Sequence, residues 1–499
     1  MAQAVSNQVA QTRQVRARAL SPKMLKLATT GLLATLALAV SEETKMHFTV
    51  YSDPIELRYG EVYNKMQISG GYDAHMLPKD VVERYTKGDK QMAIKNFTVD
   101  MIRIDANGVE TQVLLSDHYL HHFVMHFGQG AALRELIDHA SKNAFLKRML
   151  KGCHGMRGMG LVMFQDELLK QGKQSELVSF GSAEGAEYRH TPVGLQAPYA
   201  LVIKKPEAFL PLFHIINTKD DTATVSKLLE CPCTPQRNID PEHGLIDGKE
   251  PQPRFDCSAA FAATGNPACN LSTYVGGWRC CDHGMFVIDT AKECTWPRCW
   301  EKPKDRIFMK FTFEYEDAME ETRSIEPGAC CDTTADGIGF GNIEHDVPVC
   351  TDKEDCTFVT ESVQPLAYFE DKSQPHRHAI GKNASDLVDL VFAAPHLHWA
   401  GISMELMDAV TNETLCKVER NSGGVVYGNG KEAGDEQGYL VGFNTCSWDG
   451  KSARRYRRDH PMRARSVYDA SEYHTGVMSL WLTHVSAVPK HVEKAVSFI

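Results

Sequence analysis

Apolar and polar residues alternate with a period of two along much of the chain, and the alternating runs are short. His47-Phe-Thr-Val-Tyr51, Phe97-Thr-Val-Asp-Met-Ile-Arg-Ile104 and Thr111-Gln-Val-Leu-Leu115 have the pattern of half-buried strands. Asp105-Ala-Asn-Gly108 between the last two predicts a hairpin turn. Further strands are predicted at Arg306-Ile-Phe-Met-Lys-Phe-Thr-Phe-Glu-Tyr315, Leu387-Val-Asp-Leu-Val-Phe392, His398-Trp-Ala-Gly-Ile-Ser-Met-Glu-Leu406 and Gly476-Val-Met-Ser-Leu-Trp-Leu-Thr-His-Val485. One helix is expected over 132–150, where Leu133, Leu136, Ile137, Phe145, Leu146 and Leu150 fall near helical spacing. Residues 365–383 read as a polar loop, and no internal repeat is visible. Many short strands separated by turn residues predict a mainly β protein built as sandwiches or jelly rolls.

Composition divides this pattern into regions. Of 15 cysteines in 499 residues, twelve fall between Cys231 and Cys356. They include Cys231-Pro-Cys233 and the vicinal pairs Cys280-Cys281 and Cys330-Cys331, and none forms the C-x-x-C knuckle of a zinc ribbon. This favours disulfides and an oxidising compartment, with Cys153 the candidate for the odd thiol. The expected organisation is a leader over 1–41, a first β-sandwich over 42–228, a cysteine-rich insert or connector over 229–345 and a second β-sandwich over 346–499.

The leader carries Arg13, Arg16, Arg18, Lys23 and Lys26 ahead of an apolar run over 27–40, with Ala37-Leu-Ala39 as a cleavage signal. That run is shorter than the roughly 20 residues a spanning helix needs. A cleaved signal peptide and secretion are therefore expected, with an uncleaved membrane anchor as the alternative. No later segment is long and apolar enough to span. Sequons stand at Asn96, Asn270, Asn383 and Asn412, compatible with a glycoprotein. A net charge of -10 argues against a nucleic-acid partner. The run Arg454-Arg-Tyr-Arg-Arg458 reads as a solvated loop, with cell-wall or matrix polyanion contact as the functional reading.

Three histidine-bearing stretches carry candidate chemistry: Tyr119-Leu-His-His122, Pro395-His-Leu-His398 and His474-Thr-Gly-Val-Met478. On a strand, His396 and His398 would lie on one face about 7 Å apart and could converge on one metal. Neighbouring His121 and His122 would point to opposite faces, unless a strand end or a bulge breaks the alternation. Met478 reads as core by default; as a ligand its soft thioether would favour Cu(I) over zinc.

Asp117-His-Tyr-Leu-His-His-Phe-Val124, Glu344-His-Asp346, Gly428-Asn-Gly-Lys-Glu-Ala-Gly-Asp-Glu-Gln-Gly-Tyr439 and His474-Thr-Gly-Val-Met478, with the vicinal cysteines, resemble the stress-up-regulated nodulin (SURNod) family. That resemblance implies relatives rather than a reaction. The order His-His, lone His, His-x-His, Met is similar, more remotely, to the ascorbate-dependent type II copper monooxygenases. This second resemblance implies two tandem antiparallel jelly rolls, each carrying one copper ion across a solvent-filled cleft. His121, His122 and His214 would hold an electron-relay copper. His396, His398 and Met478 would hold the copper at which a C–H bond is hydroxylated, with ascorbate as reductant. Where the peptide-amidating members grip a substrate carboxylate, this chain has Ala394, Leu480 and Leu482. The implied substrate is therefore small or apolar rather than a peptide carboxylate. The competing expectations are a non-catalytic extracellular copper-binding protein and a structural, disulfide-rich one.

Overall fold

The computed structural model describes residues 45–67, 76–132, 134, 177–180, 185–219, 303–329, 332–334, 344–350, 355–367 and 385–490. The leader, Cys153, the cysteines from Cys231 to Cys331, most of the expected 132–150 helix and the sequons at Asn270 and Asn383 lie outside them. The described chain is mainly β, in antiparallel sheets apart from a short parallel pairing of Arg323–Ser324 with Tyr199–Lys204.

The first sheet has the order Met46–Tyr51, Asp305–Asp317, Gln91–Ile104, Tyr199–Lys204, Arg323–Ser324. Asp305–Asp317 alternates strictly, with Ile307, Met309, Phe311, Phe313 and Tyr315 buried. It lies inside the sheet, paired with Met46–Tyr51 on one side and Gln91–Ile104 on the other. The hairpin expected at 105–108 is present: Ile102 faces Gln112, and Asp105 Oδ1 accepts from the amides of Asn107 and Val109. Gly108 has φ +80°, which a residue without a Cβ adopts freely.

The second sheet has the order Val62–Met66, Ala208–Asn217, His118–Gly128, Leu177–Phe180. It faces the first through phenylalanines. Ring centroids of Phe123 and Phe311 are 5.5 Å apart, those of Phe127 and Phe313 5.1 Å, and those of Phe209 and Phe311 5.2 Å. Burial of such rings is the main stabilising term of this half, each worth about 3–5 kcal/mol on truncation to alanine. A two-turn helix, Lys79–Thr86, closes one end by burying Val81 and Tyr85. Its i, i+4 apolar pair is too short a signal to stand out among strands.

Two larger sheets and a two-stranded one, Val425–Tyr427 with Leu440–Phe443, form the rest. One larger sheet has the order Glu326–Pro327, His474–Ala487, Leu387–Leu397, Cys446–Ser447, and the other Thr357–Pro365, Pro461–Asp469, Gly401–Asp408, Thr414–Glu419. Met404, Leu406, Met462, Ala464 and Tyr468 of the second share a core with Leu390, Ala393, Leu397, Trp481 and Val485 of the first. Leu387–Leu397 is buried at nearly every position, because its other face is covered too: Phe392 and Ala394 belong to the phenylalanine-rich core of the first half. The strand expected over 398–406 begins only at Gly401. A tight turn with Gly401 N donating to His398 O, and Ala400 at φ +68°, precedes it. Disulfides join Cys350 to Cys356 and Cys416 to Cys446. No helix among the described residues is long and apolar enough to cross a membrane.

Candidate metal centre

His121 and His122 lie on the His118–Gly128 strand, and His214 on the adjacent Ala208–Asn217 strand. His214 pairs with His122, but the next pair is Ile215 with Leu120, so His121 is the extra residue of a β-bulge. The bulge breaks the alternation that would otherwise send the two neighbouring rings to opposite faces. As a result, one donor atom from each of His121, His122 and His214 lies within 4.8 Å of the others, and all three residues are buried. His121 Nδ1 is 3.2 Å from His122 Nδ1, and the His121 and His214 ring centroids are 4.1 Å apart. Among the described residues this is the one set of three His, Cys, Asp or Glu side chains spaced to hold an ion.

His396 is the next-to-last residue of Leu387–Leu397, and His398 follows just past its end. Their ring centroids are 5.1 Å apart, and each residue is 1% exposed. Met478 stands on the neighbouring strand, His474–Ala487. His396 pairs with Leu480 and Leu397 with Ser479, where the ladder ends; Met478, two residues before Leu480, falls on the same face of its strand as the partner of His396. Tyr468 ties the two backbones together: its hydroxyl accepts from His398 N at 2.9 Å and donates to Met478 O. Sequence reading does not single out Tyr468, which occupies an ordinary inward position of an alternating strand.

The two sets touch. The rings of His121 and His398 meet edge to face with centroids 4.2 Å apart. The remote resemblance implies sites facing each other across solvent; here five imidazoles form one buried cluster where the two halves meet. Gly185 is wedged into it. A Cβ there would lie 2.4 Å from His121 O and 2.8 Å from His396 Cε1, so only glycine fits without displacing backbone. Ala394 is buried in the shared core, Leu482 packs against it, and Leu480 is 8% exposed.

The residues present suit a copper ion. Imidazoles and a thioether are donors matched to copper, and each histidine must be neutral to ligate. His396 Nε2, although buried, has no hydrogen-bond partner among the described residues. Such an atom is costly to bury unless something satisfies it. Its other nitrogen, Nδ1, lies 2.7 Å from Glu187 Oε1. Glu187 sits in the short 3-10 turn Ala186–Arg189, outside any periodic pattern, and nothing in the sequence marks it.

Other buried histidines do different work. His118 Nε2 lies 3.0 Å from Asp305 Oδ2, and Arg103 reaches the same carboxylate at 2.6 Å. Burial alone would raise the Asp305 pKa, but the His118 and Arg103 contacts hold it far below the usual carboxylate range. Burial lowers the pKa of His126 and of His345 to about 3 and that of His484 to about 4. Glu344 pairs with Met478, and His345, beside it, packs within 6.1 Å of the Tyr468 ring. Asp346 accepts from the Tyr473 hydroxyl and from Gly476 N, which fixes the start of the strand that carries Met478.

Residues 256–487 match the family model described as stress up-regulated Nod 19, in accord with the nodulin-family resemblance of the sequence. The match spans a little under half of the chain. It includes His396, His398 and Met478, while Glu187 and the three histidines of the bulge lie N-terminal to it. No curated protein matches the chain.

Proposed function

For a chain that shares residues 256–487 with the stress up-regulated Nod 19 family, we propose an exported copper-binding protein whose centre is built at the junction of its two halves. The observation that carries this reading is the convergence of His121, His122 and His214 on one point at the bulge. Three imidazoles within ligating reach of one another, drawn from two strands, satisfy the geometric demand of a tight metal site. His396 and His398, with Met478 beside them, form the second site, and the thioether favours the cuprous ion there. Disulfides such as Cys350–Cys356 and Cys416–Cys446 belong to an oxidising compartment and support export.

Copper held by such donors supplies one-electron chemistry and oxygen activation. The protein's own part is to keep water away from the donors and fix their orientation. Ascorbate-dependent hydroxylation of a small or apolar substrate is the reaction class this donor set suits. A second reading, copper storage or sensing without turnover, is favoured by the burial of all five rings and the direct contact of His121 with His398. Copper content after reconstitution, measured by elemental analysis, tests the common premise, and a protein that retains no copper overturns both readings. Oxygen uptake with ascorbate separates the two: steady consumption with product formed supports hydroxylation, and its absence in copper-loaded protein supports storage.

A further inference from the structure

Glu187 is fully buried and its Oε1 lies 2.7 Å from His396 Nδ1. No lysine or arginine neutralises it: among the described residues its carboxylate meets only the His396 ring, and Oε2 has no hydrogen-bond partner. A buried carboxylate facing a single imidazole is expensive unless a positive charge stands close by. The turn that presents it is firmly held. Arg189 Nε donates to Asp100 Oδ1 at 2.8 Å and Nη2 to Val113 O at 2.9 Å, while Thr191 Oγ1 donates to Glu187 O at 3.0 Å. Gly185, two residues before, fits between His121 O and the His396 ring.

We propose that Glu187 is the positioning residue of the second copper site. This inference rests on the copper reading above. Glu187 accepts the Nδ1 proton of His396, which leaves Nε2 as the lone-pair nitrogen directed to the metal. The charge that compensates the carboxylate is then the ion on the far side of the ring. Carboxylate–histidine–metal arrangements of this kind fix the tautomer and raise the basicity of the ligating nitrogen. Glu187 comes from the first half of the chain and His396 from the second, so the second site is complete only when both are folded together.

The test compares wild type with Glu187→Gln and Glu187→Asp by copper titration, by electron paramagnetic resonance of the Cu(II)-loaded proteins and by thermal unfolding of the copper-free proteins. The glutamine keeps size and an acceptor but loses the charge. The expected result is a copper-free Glu187→Gln protein that melts at or above the wild-type temperature. Its second copper binds about 10–100-fold more weakly with a changed copper hyperfine pattern, and the first copper is unaffected. Glu187→Asp, which restores the charge, should recover part of the affinity. Equal affinity and an identical spectrum in Glu187→Gln overturn the inference while leaving the copper reading intact. Loss of both coppers, or a copper-free variant that does not fold while Glu187→Asp folds and binds normally, makes Glu187 structural and also overturns it. A wild type that binds no copper overturns the underlying reading itself.

Discussion

Histidines are buried both at the junction of the two halves and inside each half, and the two regions treat them differently. Inside, His126, His345 and His484 are packed so that burial holds the imidazole neutral. At the junction, His121, His122, His214, His396 and His398 meet ring to ring, and His396 is oriented by a carboxylate. Burial of a histidine is therefore no sign of metal binding. Convergence of ring nitrogens is, and the bulge at His121 produces it.

Substitutions on the two sides of this comparison should behave oppositely. His214→Ala is expected to have the largest effect, removing about one copper equivalent, whereas His126→Leu leaves copper content unchanged; elemental analysis reads both. Equal copper loss in the two variants would erase the distinction. Met478→Leu, which keeps an apolar chain of similar volume, should weaken Cu(I) binding more than Zn(II) binding, as competition titrations would measure. Tyr468→Phe strips the hydroxyl that bridges His398 N and Met478 O, leaving buried groups unsatisfied. It should cost about 1–3 kcal/mol in denaturant unfolding.

The most graded effect is pH dependence. The ordinary histidine pKa of 6.5 is depressed in the fold to about 3 for His126 and His345 and about 4 for His484. Below about pH 6.5 the unfolded chain therefore binds protons that the folded one refuses. Stability from these groups is complete above that pH and is lost as the pH falls toward 3 to 4, by at most about 1.4 kcal/mol per pH unit for each histidine. His126→Leu should flatten this slope without altering copper affinity at neutral pH. An unchanged slope in that variant would show that His126 does not contribute.

Much of this was legible beforehand, because strands with one wet face carry their pattern openly. Asp305–Asp317 and the 105–108 hairpin are of this kind, while Leu387–Leu397, covered on both faces, is marked instead by its nearly unbroken apolar run. That His121 and His122 could converge only at a strand end or a bulge followed from strand geometry alone. Glu187 stayed hidden because its role depends on a partner 209 residues away and on a four-residue turn with no periodicity. The turn after His398 was missed because Ala400, Ile402, Met404 and Leu406 keep strand alternation running through it, while a positive φ at Ala400 has no signature in a non-glycine residue. The pairings Cys350–Cys356 and Cys416–Cys446 depend on sheet proximity, which cysteine spacing does not encode.

The central place of Asp305–Asp317 in the first sheet has a consequence for biosynthesis. Met46–Tyr51 emerges from the ribosome some 250 residues before Asp305–Asp317, its ladder partner among the described residues. At about 5–20 residues per second it waits on the order of tens of seconds. From their own emergence until the end of that interval, the inward phenylalanines of His118–Gly128 and Ala208–Asn217 lack the rings of Phe311 and Phe313 that cover them in the finished molecule. A nascent chain stalled before residue 305 should thus be a strong client of chaperones, and one released beyond residue 317 a weaker one.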